Sequence, residues 1–273
     1  MFLADYNTHS DYSADAAAQF SMVQMAQGAL EKGMQELCFT DHLEVADLWT
    51  GRTVRPDWDW NELERRFSAA QTEIGERLTL RLGAEVGDAL CDLPAMDRIL
   101  DDAPETLDFT IGSMHVLPEK WGRTDLAQFR PTDEAQAMAV MRDYLEDELA
   151  LTKWGRFDVL GHLTLPIRSF RMVLKLDVSF DPMEEQIREI LKLAAEKGLG
   201  LEINANNGRT PIPEAKWLRI FREYGGEIVT TGSDAHKPEH AGLGIELCQD
   251  VLRSCGFRAF CTYERRKPIF HDL

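Results

Sequence analysis

The segment Ile228-Val229-Thr230-Thr231-Gly232-Ser233-Asp234-Ala235-His236 joins a β-branched run to a polar ending. β-Branched side chains favour strands, and small residues such as Gly232 and Ser233 permit a close turn where the strand stops. Asp234 and His236 then offer a carboxylate and an imidazole two residues apart, and both groups bind divalent metals in proteins. The segment therefore predicts a buried strand whose carboxyl end carries metal ligands.

The same pattern, an apolar run that ends in His, Asp or Glu, recurs along the chain. The further motifs are Asp5-Tyr6-Asn7-Thr8-His9, Thr40-Asp41-His42, Gly83-Ala84-Glu85, Gly112-Ser113-Met114-His115 and Leu160-Gly161-His162. Taken singly, most of them are better explained by an ordinary hydrogen-bonded residue at a strand end, so the inference depends on the set. Separate strand ends that deliver such groups to one place can surround two or three metal ions. The set predicts a metallohydrolase.

Hydrophobic periodicity predicts seven strands that alternate with seven helices. The expected strands cover residues 1–6, 37–40, 78–84, 107–112, 157–161, 200–204 and 227–232. The expected helices cover residues 16–32, 60–77, 95–100, 134–154, 183–197, 213–224 and 245–255. Alternating units predict parallel strands joined by right-handed crossovers.

Such units form either an open sheet or a closed barrel. An open sheet gathers its site in a crevice near one switch point, whereas six of the seven predicted strands here end in, or run into, a candidate ligand. Ligands from nearly every strand fit a barrel better, because all its carboxyl ends share one face. We therefore predict an α/β fold, a distorted (β/α)7 TIM-like barrel forming a single domain over residues 1–273, with the loops 45–59 and 116–132 on the ligand face.

Composition limits the possible partners and the compartment. A formal net charge of -17 opposes binding to nucleic acid, which relies on lysine and arginine. No run is long enough to span a bilayer and the N-terminus lacks a signal-peptide pattern, so we expect a cytoplasmic protein with no membrane partner. The five cysteines show no CxxC pair, which argues against a zinc ribbon or a disulfide framework. Nothing in the sequence indicates an oligomeric state.

Other hydrolytic and nucleotide-binding chemistries lack their characteristic motifs. The chain has no GxSxG elbow, no Walker loop and no GxGxxG after a strand. Asp41 directly precedes His42, and two interpretations stay open: its carboxylate orients the ring of that histidine by accepting a hydrogen bond, or it caps a helix N-terminus and His42 is only an incidental neighbour. A metal-dependent reaction is the interpretation that the remaining motifs support.

Together, the motifs resemble the PHP (polymerase and histidinol phosphatase) superfamily, and among its members the histidinol-phosphate phosphatases. Thr-Asp-His, Gly-x-Glu, Gly-Ser-x-His, Gly-His-Leu, Glu-Ile-Asn and Gly-Ser-Asp-Ala-His occur in the family's order over nearly the whole chain. The resemblance implies a distorted (β/α)7 barrel that holds two to three divalent metal ions, commonly zinc, manganese or iron.

The family's metal ligands carry over position by position onto this sequence. The implied ligands, in three groups, are His9, Glu85, Asp234 and Asn7; Glu85, His115 and His162; and Asp15, His42 and His236. Asn7 departs from the pattern, since the family has a histidine there. An amide oxygen is a weaker ligand than imidazole for zinc-like ions. The first metal is then bound loosely, exchanged for a harder cation, or absent. Three origins of the asparagine are equally consistent with the sequence: natural divergence, an engineered substitution, or a partly degenerate site.

The resemblance also implies a reaction, the hydrolysis of a small phosphate monoester, with L-histidinol phosphate as the implied substrate. A hydroxide bridging two metals would attack phosphorus, because coordination lowers the pKa of water. Arg168 and Arg209 fall where the phosphatases bind substrate phosphate, and Asp234 is the candidate for handling the hydroxide proton.

Two other functions stay open on the sequence alone. The first is a PHP phosphoesterase that acts on a different small phosphate monoester or diester. The second is a metal-stabilised barrel, weakened at Asn7, that binds a phosphate ester without turnover. A substrate panel separates the first from the leading function, and tight binding without phosphate release would identify the second.

Overall fold

Eight parallel strands form the central sheet in the computed structural model, which describes residues 1–13, 19–46 and 58–273. The strands are β1 (Ala4–Thr8), β2 (Glu36–Phe39), β3 (His42–Glu44), β4 (Thr79–Gly87), β5 (Phe109–Ser113), β6 (Val159–Leu160), β7 (Gly200–Asn204) and β8 (Val229–Gly232). Their order is β1-β2-β4-β5-β6-β7-β8, and the short β3 pairs with the second half of β4. Because β3 continues the line of β2, the sheet has seven strand positions.

The two edges of this sheet meet at the carboxyl ends of the strands. Thr8 forms a parallel bridge with Ala235, just beyond β8. The Asp234 amide donates to the Asn7 carbonyl at 2.8 Å, and the His9 amide donates to the Ala235 carbonyl at 2.9 Å. The sheet is therefore a nearly closed barrel, and the predicted distorted (β/α)7 fold is confirmed.

Helices alternate with the strands as the periodicity predicts. They are α1 (Met22–Glu31), α2 (Trp60–Ile74), α3 (Leu93–Asp101), α4 (Glu134–Trp154), α5 (Glu184–Lys197), α6 (Ala215–Glu223) and α7 (Ile245–Ser254). Asp59 and Asp133 cap α2 and α4 at their N-termini, and Gly155 and Gly198 end α4 and α5 in the left-handed conformation. Among the described residues, no helix is long and apolar enough to cross a membrane.

Two features were not predicted from the sequence. The strand β3 is only three residues long, too short to give a periodic signal. A C-terminal hairpin follows α7 and consists of the antiparallel strands β9 (Ala259–Glu264) and β10 (Lys267–Asp272). Its turn residues Arg265 and Arg266 both have positive φ, 49° and 63°, but arginine is not a turn signal of the Asn-Gly kind.

Most residues of the barrel strands are buried, because helices cover the outside and side chains fill the inside. Every residue of β1, β5 and β7 is buried, as expected for parallel strands with both faces covered. The C-terminal hairpin adds to the packing, since the Tyr263 amide donates to the Tyr6 hydroxyl at 2.7 Å. Polar side chains concentrate beyond the carboxyl ends of the strands, so a functional site is expected on that face of the barrel.

Barrel closure can be tested with two neighbouring threonines of β8. The Thr231 hydroxyl donates to the Ala4 carbonyl at 2.7 Å across the closing edge, whereas the buried Thr230 hydroxyl has no hydrogen-bond partner among the described residues. We expect Thr231→Val to lower the free energy of unfolding by about 1 kcal/mol. The matched control Thr230→Val should cost nothing, because it removes an unpaired buried hydroxyl. Urea unfolding measures both, and equal losses would contradict this assignment.

Candidate metal centre

Glu85, near the end of β4, lies at the centre of a cluster of histidines. Its side chain is fully buried. Oε1 lies 2.9 Å from His162 Nε2 and 3.2 Å from His115 Nε2, while Oε2 lies 3.1 Å from His42 Nδ1 and 3.5 Å from His9 Nε2. The motifs at the ends of five strands therefore meet around one carboxylate.

The motif after β8 joins the cluster through Asp234 and His236. Asp234 Oδ1 lies 3.4 Å from His9 Nε2, and the rings of His236 and His9 stack with their centres 4.2 Å apart. His9, His42 and His236 present ligand atoms within 4.8 Å of one another. This group of three imidazoles stands directly beside Glu85.

The backbone at Asp234 is unusual for a residue other than glycine. Its φ is 59°, in the left-handed region. The hydrogen bond from the Asp234 amide to the Asn7 carbonyl holds this conformation, and the resulting turn places the carboxylate between His9 and Arg168. Backbone strain of this kind is typical of functional sites.

Asn7 presents an oxygen to the cluster. Its Nδ2 donates to Glu202 Oε1 at 2.9 Å, and because a carboxylate only accepts, this bond fixes the orientation of the amide. Oδ1 consequently lies 3.1 Å from His9 Nε2 and accepts from the Thr40 hydroxyl at 3.3 Å. Glu202 also accepts from the His162 amide at 2.7 Å, so one buried carboxylate holds both motifs.

Arg168 reaches the cluster from a π-helix, Ile167–Val173, that follows β6. Its guanidinium pairs with the Asp234 carboxylate, and its Nη2 donates to Asn204 Oδ1 at 3.1 Å. The π-helix begins five residues after His162. The predicted arginine therefore lies next to the predicted ligands.

A cavity of about 230 Å³ opens beside these residues. Arg168, Asp234 and four of the clustered histidines line it, together with Asp125, Leu126 and Leu165. Asp125 and Leu126 belong to the loop 116–132, which was predicted to lie on the ligand face. The cavity is large enough for a small molecule and combines charged with apolar walls.

Two predicted site residues are not brought into the described cluster. Arg209 lies exposed on the loop after β7 and does not line the cavity. Asp15 lies outside the described residues, as does most of the predicted loop 45–59.

The interpretation that Asp41 orients the ring of His42 is wrong. The Asp41 carboxylate accepts instead from the hydroxyls of Ser10 and Ser13, each at 2.7 Å. Adjacent residues of an extended chain point in opposite directions, so Asp41 faces the segment after β1 while His42 faces Glu85. Asp41 thus holds the chain just beyond His9.

Glu44 is a member of the site that the sequence analysis missed. It lies in β3 two residues after His42, so both side chains project from the same side of the strand. Its Oε1 lies 2.8 Å from His115 Nδ1 and 3.4 Å from His42 Nδ1. The spacing of His42 and Glu44 is the same signal that identified Asp234 and His236, and it could have identified Glu44 as well.

The electrostatics of the cluster favour bound cations. Burial alone would raise the pKa of Glu85, but the imidazoles of His115 and His42 hold that pKa well below its usual value. Burial would likewise lower the pKa of His42, yet Glu85 and Glu44 raise it to about 10. Burial also opposes the charged form of Asp234, whose pKa is nevertheless held well below normal by Arg168 and His9. Buried carboxylates in this arrangement need protons or metal ions close by.

The donor atoms of the cluster fit divalent metals. Glu85 Oε2, Glu44 Oε2, His42 Nδ1 and His162 Nδ1 are all buried and make no hydrogen bond within the described part of the chain, although Glu85 Oε2 and His42 Nδ1 lie 3.1 Å apart. Imidazole nitrogens and carboxylate oxygens are the donors that zinc, manganese and iron accept. The fold and site thus define a (β/α)7 barrel protein with a divalent metal centre at the carboxyl ends of its strands.

The chain belongs to the PHP domain family, whose model matches residues 5–206. Among similar curated proteins, the histidinol-phosphatase of Lactococcus lactis is 26% identical over 96% of this chain and 95% of its own length. The probable histidinol-phosphatase of Thermotoga maritima is 28% identical over 93% of each chain.

Solved structures show the same fold. The crystal structure of the Lactococcus lactis histidinol phosphate phosphatase, which holds zinc, L-histidinol and phosphate, superposes with a TM-score of 0.78 at 23% identity over 98% of each chain. The putative histidinol phosphatase of Listeria monocytogenes gives a TM-score of 0.75 at 17% identity, over 89% of this chain and 99% of its own. The predicted family is confirmed.

Metal binding should displace protons from the cluster. With its pKa raised to about 10, His42 keeps its proton at pH 7.5 in the metal-free protein, and a metal that binds this ring must remove it. We expect zinc to release about one proton or more per chain at pH 7.5, and metal affinity to rise with pH until the pH approaches 10.

Titration calorimetry in buffers of different ionisation enthalpy measures this release. His240→Asn is the control, since His240 lies outside the cluster, and it should release as many protons as the parent. Binding enthalpies that do not depend on the buffer would contradict the expectation.

Proposed function

We propose that this protein hydrolyses L-histidinol phosphate to L-histidinol and inorganic phosphate. The enzyme class is a metal-dependent phosphatase, in keeping with the PHP domain and with curated relatives of nearly the same length. The observation that carries the proposal is the cluster around Glu85, which lies beside Arg168 and a cavity of about 230 Å³.

The proposed metal ligands fall into groups that share Glu85. His9, Asp234 and the Asn7 oxygen would hold one ion with Glu85, and His115 with His162 would hold a second. His42 and His236 would hold a third together with Asp15, which lies outside the described residues. Ions bound there would lower the pKa of water and neutralise charge on the phosphate.

Arg168 is the proposed phosphate clamp. Its guanidinium lines the cavity and reaches the cluster through Asp234, and its planar fork suits two phosphate oxygens at once. Asp234 would accept the proton of the attacking water at its carboxylate. Arg209 is a second candidate for phosphate contact, which requires its exposed side chain to turn towards the barrel.

The remaining walls of the cavity favour a cationic leaving group. L-Histidinol carries an amine and an imidazole, and Asp125 supplies a half-buried carboxylate to that space. Leu126 and Leu165 supply apolar contacts for a ring. An ester of an uncharged alcohol, such as glycerol phosphate, would offer the Asp125 carboxylate no cationic partner.

The test is phosphate release by the metal-reconstituted protein at equal concentrations of several phosphate esters. We expect kcat/KM for L-histidinol phosphate to exceed that for glycerol phosphate by about 10-fold or more, since only the amine of the first substrate gives the half-buried Asp125 carboxylate a charged partner. Metals counted per chain in the same sample show whether the site is loaded.

Two arginines of the π-helix provide the matched variants. Arg168→Ala should lower kcat/KM by about 100-fold, because it removes a cationic partner of the transferring phosphoryl group. Arg171→Ala, an exposed neighbour on the same helix, should leave it unchanged. No release by a fully loaded parent, or faster release from glycerol phosphate, would overturn the proposed substrate.

A further inference from the structure

Glu44 is the one carboxylate in β3, and it contacts the His115 ring at Nδ1, whereas Glu85 lies near Nε2 of the same ring. The register of β3 on β4 pairs His42 with Glu85 and Glu44 with Gly87. The side chain of Glu44 is only 9% exposed, so its charge is held away from water and must be balanced within the site.

The two nitrogens of the His115 ring face different carboxylates. Nδ1 lies 2.8 Å from Glu44 Oε1, whereas Nε2 lies 3.2 Å from Glu85 Oε1 and 3.4 Å from His162 Nε2. An ionised carboxylate only accepts hydrogen bonds. In a neutral ring, the bond to Glu44 therefore puts the proton on Nδ1 and leaves the Nε2 lone pair facing Glu85.

We propose that Glu44 is a positioning residue that fixes the tautomer and orientation of His115, so that Nε2 is presented to a metal ion beside Glu85. The inference rests on the proposed metal cluster and is independent of the substrate. A carboxylate that accepts from the outer nitrogen of a ligand histidine also makes the inner nitrogen more basic.

A glycine on the neighbouring strand β4, Gly87, provides the space that the Glu44 carboxylate occupies. A Cβ at Gly87 would lie 2.1 Å from Glu44 Oε1, so that no larger residue fits opposite Glu44 without displacing it. The backbone of His115 is held as well, because Asp88 Oδ1 accepts from the amides of His115 and Val116 at 2.9 and 3.0 Å. Ring and backbone of the histidine are thus fixed from two directions.

A direct ligand role for Glu44 is the competing explanation. Glu44 Oε2 is buried and makes no hydrogen bond to the residues that the structure describes, and Glu44, Asp88 and His115 offer ligand atoms within 4.8 Å of one another. The short bond between Glu44 Oε1 and His115 Nδ1 favours positioning, since that nitrogen is already engaged. The two roles differ in the number of metal ions that a Glu44 variant binds at saturation.

The experiment uses zinc binding by the full chain, without substrate. Zinc affinity is measured by chelator competition, zinc per chain at saturation by elemental analysis, and the His115 tautomer by ¹⁵N NMR of the loaded protein. Glu44→Ala should bind zinc about 10- to 100-fold more weakly with unchanged zinc content, and its His115 ring should lose the single Nδ1–H form. Glu44→Gln should recover most of the affinity, since its amide oxygen still accepts from Nδ1–H.

Glu148→Gln is the matched control, because Glu148 is also fully buried but belongs to none of the groups of candidate metal ligands found among the described residues. It should bind zinc like the parent. If Glu44→Ala kept the zinc affinity and the His115 tautomer of the parent, the positioning role would be wrong and the proposed metal centre would stand. The same holds if Glu44→Ala lost one zinc ion per chain at saturation. A parent chain that binds no zinc would overturn the proposed metal centre together with the positioning role.

Discussion

A carboxylate that is shut off from water needs positive charge around it, and Glu85 sits fully buried at the mouth of the barrel. An unpaired charge in such a place costs several kcal/mol. The surrounding histidines are far apart in the sequence, and the parallel sheet β1-β2-β4-β5-β6, with β3 beside β4, brings them to within 3.5 Å of its oxygens. The ligand positions and the lowered pKa of Glu85 thus reflect the same electrostatic requirement.

Much of this arrangement is encoded locally and could be predicted. Each motif places a polar ligand at the end of an apolar strand, and parallel strands must bring those ends to one face. The features that were missed depend on contacts between distant segments or on short and irregular elements. The Asp41 carboxylate accepts from Ser10 and Ser13 in a distant segment. Glu44 lies in a strand of only three residues, and no periodic pattern indicates the π-helix that carries the predicted Arg168. The exposed position of Arg209 likewise depends on a loop conformation and not on composition.

Asn7 is held in a fixed orientation by its neighbours. Glu202 holds the amide nitrogen at 2.9 Å and so turns the oxygen towards His9. As a proposed ligand, this oxygen is a harder donor than an imidazole nitrogen, which favours manganese-like ions over zinc at that position. Glu202 also binds the amide of His162, so Asn7 is linked to a second strand end through one buried carboxylate.

The central claim is that the side chains around Glu85 hold divalent metal ions. Crystals of the manganese- or zinc-loaded protein, measured with X-rays above and below the absorption edge of the metal, test it most directly. The account predicts at least two anomalous peaks, each within about 2.5 Å of a Glu85 oxygen or of a nitrogen from the surrounding histidines. A fully loaded sample with no peak at this cluster, or with its metals bound elsewhere, would contradict it.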